Sequence, residues 1–134
     1  MKSIVLTVFA FVFAFAVSAQ DKKPEDLVKT NTEIHDFGKI KQGTPVNYYF
    51  ELTNISDAPV VIENATSSCG CTIPEYPKEP IAAGETIKIK VQYSAAAIGH
   101  FDKDVYIKLA GVTQPKKLHI TGEVEAPSNP GNSN

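Results

Sequence analysis

Two packed antiparallel sheets are the fold class this sequence predicts, on three observations. Apolar and polar residues alternate along several separate runs, turn-forming residues fall between those runs, and no stretch sustains a helical period. Along Val46, Tyr48, Phe50 and Leu52 the intervening positions are Asn47, Tyr49, Glu51 and Thr53, so one face is apolar and the other largely polar. Ile87, Ile89, Val91 and Tyr93 repeat the pattern against Lys88, Lys90 and Gln92. A period of two is that of strands buried on one side.

Taken in order, the chain opens with Lys2 and an apolar run from Ile4 to Val17, then Val17-Ser18-Ala19 and the polar Gln20-Asp21-Lys22-Lys23. This is the pattern of a secretory signal cleaved near Ala19/Gln20, and the run falls short of the roughly 20 residues a bilayer span needs. No cysteine stands just after the run, which argues against a lipoprotein anchor. The expectation is a periplasmic or secreted protein with no membrane span after cleavage. Residues 20–31 are polar and read as a flexible leader, residues 32–126 as the folded domain, and residues 127–134, with no apolar side chain, as a disordered tail. The 115 residues after the signal suit one domain.

Inside the domain, Ile34 and Phe37 both read as inward yet differ in parity, which predicts a bulge or kink near Asp36. After the Val46–Leu52 strand, Asn54-Ile55-Ser56-Asp57 makes a turn. Pro59–Ala65 forms another strand, nearer an edge because Pro59 has no N–H for a ladder. Ala83-Gly84-Glu85 turns into the Ile87 strand, and Val105, Ile107 and Leu109 alternate in the next. Gly111 to Pro115 joins that run to Leu118, Ile120 and Val124, with Gly122 in the same phase. About seven short strands in some 95 residues make a single all-β, immunoglobulin-like antiparallel β-sandwich.

Charge narrows the partners. The chain holds 13 Lys, no Arg and 15 acidic residues; losing Lys2 with the signal leaves 12 Lys against 15 acids, a net charge of −3. The lysines form no stripe, which argues against nucleic acid, and without arginine there is no bidentate fork for phosphate.

Several segments together resemble a known family. They are Asp36-Phe37-Gly38-Lys39-Ile40, the Tyr48–Asn54 strand, Ser68-Cys69-Gly70-Cys71-Thr72, Pro80 to Glu85, Gly99-His100-Phe101 and Ile120-Thr121-Gly122-Glu123-Val124. In this order they resemble the bacterial domain of unknown function 1573, related to the immunoglobulin-like sandwiches of major sperm proteins, pilus chaperones and ciliary proteins. The Ser-Cys-Gly-Cys-Thr string is the most specific element; Ala82-Ala83 departs from the proline the family more often carries before Gly84. The resemblance implies an exported sandwich domain and brings no established reaction.

The distinctive chemistry is Cys69-Gly70-Cys71, whose cysteines are the only two in the chain. A disulfide between them closes a three-residue loop, worth about 1.6 kcal/mol at best in the chain-entropy model. In an extended strand the two Cα atoms would stand roughly 6.6 Å apart, near the upper limit for a bond, so the backbone must pinch at Gly70. Such a bond is a poor staple and easily reduced. Four readings of the pair stay open: local packing, a disulfide or redox pair, capture of monovalent copper or zinc, and a bond to another chain. His35 and His119 read as solvated, and His100 lies in a turn with no assignable neighbour. Ser67 and Ser68 lack a nucleophile elbow, and Glu123 and Glu125 read as surface. No catalytic residue, cofactor or firm metal set is predicted. The reading is a non-enzymatic binding or structural module whose partner is another envelope or secreted protein; the alternative is a thiol-redox or copper-handling protein acting through Cys69 and Cys71.

Overall fold

Alternation places side chains as predicted. Phe50, Leu52, Ile89, Val91, Val105, Ile107, Leu109, Leu118 and Ile120 have no exposed surface, and Tyr93 and Val124 are nearly as buried. Each contributes roughly 1.5–3 kcal/mol by leaving water. The computed structural model describes residues 20–128, so the signal expected at 1–19 and positions 129–134 of the expected tail lie outside the described residues.

Among the described residues eight strands follow a four-residue helix, α1 (Pro24–Leu27): β1 (Val28–Thr30), β2 (Ile34–Lys41), β3 (Val46–Asn54), β4 (Ile62–Ser67), β5 (Thr72–Glu75), β6 (Thr86–Tyr93), β7 (Gly99–Leu109) and β8 (Lys116–Glu125). They form two four-stranded sheets, ordered β1-β3-β6-β5 and β2-β8-β7-β4. Five of the six strand pairings are antiparallel; β2 runs parallel to β8. The turn at Asn54 is built by that residue's own buried amide. Its Nδ2 donates to the carbonyls of Ala58 (2.8 Å) and Ile81 (2.9 Å), and its Oδ1 accepts from the amide and hydroxyl of Ser56.

At each flank of the sandwich one stretch of chain serves both sheets. On the first flank β1 pairs with β3, the chain crosses at residues 31–33, and β2 continues beside β8. On the other, β4 pairs with β7, the chain crosses at residues 68–71, and β5 pairs with β6. The inner strands are longer than the pieces covering them. β1 reaches only Leu52–Asn54 of β3, and β4 reaches only Val105–Leu109 of β7.

Three expectations are corrected here, one is borne out, and one strand is new. The leader contains α1 and β1, because Val28, 1% exposed, supplies an apolar plug at the bottom of the core. Ile34 points outward, 61% exposed, while its neighbour His35 turns in and stacks on Tyr48 with ring centroids 3.6 Å apart. The register shift between Asp36 and Lys39 exists, with Gly38 at φ +66° and its amide bound to Asp36 Oδ1. It carries the inward phase from His35 and Phe37 across to Ile40, which also packs against the core. β5 was not foreseen, since Thr72–Glu75 is too short to show a period and contains Pro74.

Folding of the leader has a direct consequence. A chain beginning at Thr32 loses the buried Val28 and all of β1, and is expected to be less stable by about 3 kcal/mol in urea unfolding. An unchanged midpoint would show that the segment only rests on the domain.

Candidate functional site

Cys69 and Cys71 sit at the crossover between β4 and β5, where the chain leaves one sheet for the other. They are bonded to each other with Cα atoms 5.3 Å apart, shorter than an extended strand allows, because residues 68–71 form a turn. Gly70 at its tip is exposed, with open space around its α-carbon, and it makes the turn without a positive φ.

The corner is also held without sulfur. The Ser67 hydroxyl is within bonding distance of the carbonyls of Cys69 and Thr72, the latter at 2.6 Å. The Ser68 amide donates to the Asp104 carbonyl (2.9 Å), and the Asp104 amide donates to the Ser68 hydroxyl (3.1 Å). The Ser94 amide donates to the Cys71 carbonyl at 2.9 Å. Thr72, 2% exposed, places its hydroxyl 3.7 Å from the Cys69 sulfur and 3.8 Å from that of Cys71. Bonded sulfurs carry no proton, so the hydroxyl is the donor. In the sequence Ser67 is weighed only as a nucleophile and Thr72 only as the end of the Ser-Cys-Gly-Cys-Thr string, and nothing there reports these contacts.

The histidines do not join the sulfurs in a ligand set. His100 is exposed in a shallow groove with Asp36, Lys39 and Thr121. His119, expected in solvent, is half-buried between two carboxylates: Nδ1 is 2.7 Å from Asp104, and Nε2 contacts Asp102. Cross-strand pairing sets Asp104 opposite His119, and this accounts for the contact. The His119 hydrogen bond, with help from Lys117 and Tyr106, holds the Asp104 carboxyl below the usual range. Burial lowers the His35 pKa, favouring the neutral ring stacked on Tyr48. Among the described residues no group of three or more His, Cys, Asp or Glu is placed to hold a metal ion.

A second charged cluster was invisible in the sequence. Lys116, 3% exposed, is bound by Glu25 (3.2 Å) from α1 and by Glu33 from the first crossover. Burial opposes the charged ammonium, but the hydrogen bonds it donates to Glu33 and Glu25 prevail and raise its pKa. The glutamates lie 91 and 83 positions away in sequence, which no local pattern reports. This cluster ties the first segment of the domain to its last strand, a structural clamp.

The two flanks leave backbone exposed. In β3 the odd-numbered residues face β1: Glu51 accepts from the Asn31 amide and donates to the Asn31 side chain. Asn47 and Tyr49 share that orientation, and among the described residues β3 is paired there only with β6, on its opposite side. Tyr49 is 51% exposed beside this open ladder. Among the described residues no helix is long and apolar enough to cross a membrane.

Solved structures share this architecture. One is a protein of unknown function from Porphyromonas gingivalis W83, with a TM-score of 0.63 and 13% identity, covering 72% of this chain and 46% of that one. Another is the ASH/PapD-like domain 7 of human CEP192, with a TM-score of 0.64 and 12% identity, covering 84% of this chain and 94% of that domain. The SrpA adhesin of Streptococcus sanguinis is similar at a TM-score of 0.54 and 11% identity, over 81% of this chain and 63% of that one. The chain thus spans less than half of the Porphyromonas protein, and at these identities the likeness is one of fold. No curated protein matches the sequence. The immunoglobulin-like, PapD-like sandwich is compatible with a binding or structural module. Residues 28–124 match the model of the protein family of unknown function DUF1573, and the chain belongs to that family.

Proposed function

We propose that this domain is an exported, non-enzymatic protein-binding module that accepts an extended strand of an envelope or secreted partner along the open side of β3. The observation that carries the reading is the unpaired ladder of Val46–Phe50, where Asn47 and Tyr49 direct N–H and C=O groups away from β6. An added strand satisfies such groups through its main chain, and specificity comes from alternate side chains. Three of the four edge strands are blunted. β1 has three residues, β5 contains Pro74, and in β2 both the amide and carbonyl of Ile34 are taken by the Thr32 hydroxyl. The exposed phenol of Tyr49 offers an amphipathic anchor beside the ladder.

A photo-cross-linking residue at position 49, compared with one at position 86 on the far strand, tests this in the native compartment. A discrete adduct from 49 alone, lost on Asn47→Pro, is the expected result, because that proline removes an open-edge donor without touching the β3–β6 ladder. Equal labelling from both positions, or an adduct indifferent to Asn47→Pro, counts against the reading.

A further inference from the structure

We infer that the Cys69–Cys71 bond is a reversible redox site that opens and closes while the domain stays folded, with the Thr72 hydroxyl as the hydrogen-bond donor to the thiolate released. Three observations converge. The bond closes the shortest kind of loop, so it removes little entropy from the unfolded chain. The corner is fastened independently by the Ser67 hydroxyl, by the reciprocal Ser68–Asp104 bonds and by the Ser94 amide, so opening the bond leaves those ties in place. The third is Thr72, a buried hydroxyl at near-equal distance from both sulfurs.

The reacting partner is a thiol or dithiol reductant. Its thiolate attacks one sulfur, the S–S bond breaks, and the other cysteine departs as a thiolate that takes up a proton. A second thiol of the reductant then resolves the mixed disulfide. The domain gains two electrons and two protons, and the reductant becomes a disulfide; the reverse sequence reoxidises the pair. A hydroxyl that reaches either sulfur serves whichever becomes the leaving group. Hydrogen bonds to the charged form favour it, so the donor eases departure. The turn presents the pair to solvent through exposed Gly70, while each cysteine remains half-buried.

The full-length mature protein, equilibrated with glutathione at graded ratios of reduced to oxidised form, then alkylated and weighed intact, supplies the test. The expected result is a complete passage from bonded to reduced within those ratios, with an unchanged β-sheet circular dichroism spectrum. The Cys69→Ser/Cys71→Ser variant should stay folded, its melting temperature lowered by less than about 8 °C. Persistence of the bond at the most reducing ratio, or unfolding on reduction, overturns the inference, since structural disulfides resist the glutathione pool. Thr72→Val is expected to slow thiol attack about tenfold, the worth of one hydrogen bond to a charged group, and Thr72→Ser to restore the rate. A Thr72→Val rate equal to wild type removes the hydroxyl from the mechanism.

Discussion

Gly122→Ala is expected to destabilise the domain by roughly 3 kcal/mol, the upper range for overpacking a filled core. A Cβ built on Gly122 meets Phe101 at 2.6 Å (Cζ) and 2.7 Å (Cε1), and the Gly38 carbonyl oxygen at 2.9 Å. None of these can retreat cheaply. Phe101 is stacked on Tyr93 with centroids 3.9 Å apart, and Gly38 is backbone in the shifted segment of β2. Phe101 and Gly122 are direct cross-strand partners, so the ring lies over the space the glycine leaves. Urea unfolding of Gly122→Ala, Phe101→Leu and the double variant checks the cause. A double variant less destabilised than the sum of the two singles locates the clash at that ring; strict additivity contradicts it.

Asn54→Leu should cost a similar amount, about 3 kcal/mol, because the buried amide's hydrogen bonds are lost and a bulkier side chain must fit in its place. Asn54 is wholly buried and uses both ends of its amide, holding Ala58 and Ile81 as donor and Ser56 as acceptor. Leucine leaves the Ile81 carbonyl without its side-chain donor at the base of the core. Asn54→Asp separates the two ends, since a carboxylate can still accept from Ser56 but faces two carbonyls it cannot serve. Its stability should rise as pH falls and the acid becomes a donor. An Asp variant as stable as wild type at neutral pH would show that the donor end is dispensable.

The parts of the fold legible in the sequence are those where one side chain in two is removed from water over five or more residues. β3, β6 and the apolar runs of β7 and β8 announce themselves this way. β1 and β5 do not, being three and four residues long, and nothing about Val28 alone separates a core plug from a stray valine in a polar leader. The bulge was foreseen from a parity conflict, yet its inward partner is His35, because an aromatic stack on Tyr48 outweighs the preference for burying Ile34. At the candidate site the two cysteines stood out by composition. Thr72 did not, since its role depends on the turn that bends its hydroxyl beneath both sulfurs. The Lys116 clamp and the open side of β3 depend on which strands become neighbours, information that only the folded topology holds.

That β2 lies beside β8 governs when this chain can become a protein at all. Ile34 finds its ladder partner at His119, some 85 positions later, so that seam cannot zip until β8 is available. Assembly therefore cannot be completed in chain order: β1 can pair with β3 early, but β2 waits without its ladder partner for the last strand to arrive. Such distant pairing puts the domain among slowly maturing folds, in the millisecond-to-second range. A ribosomal product halted before Lys116 would have no seam to close.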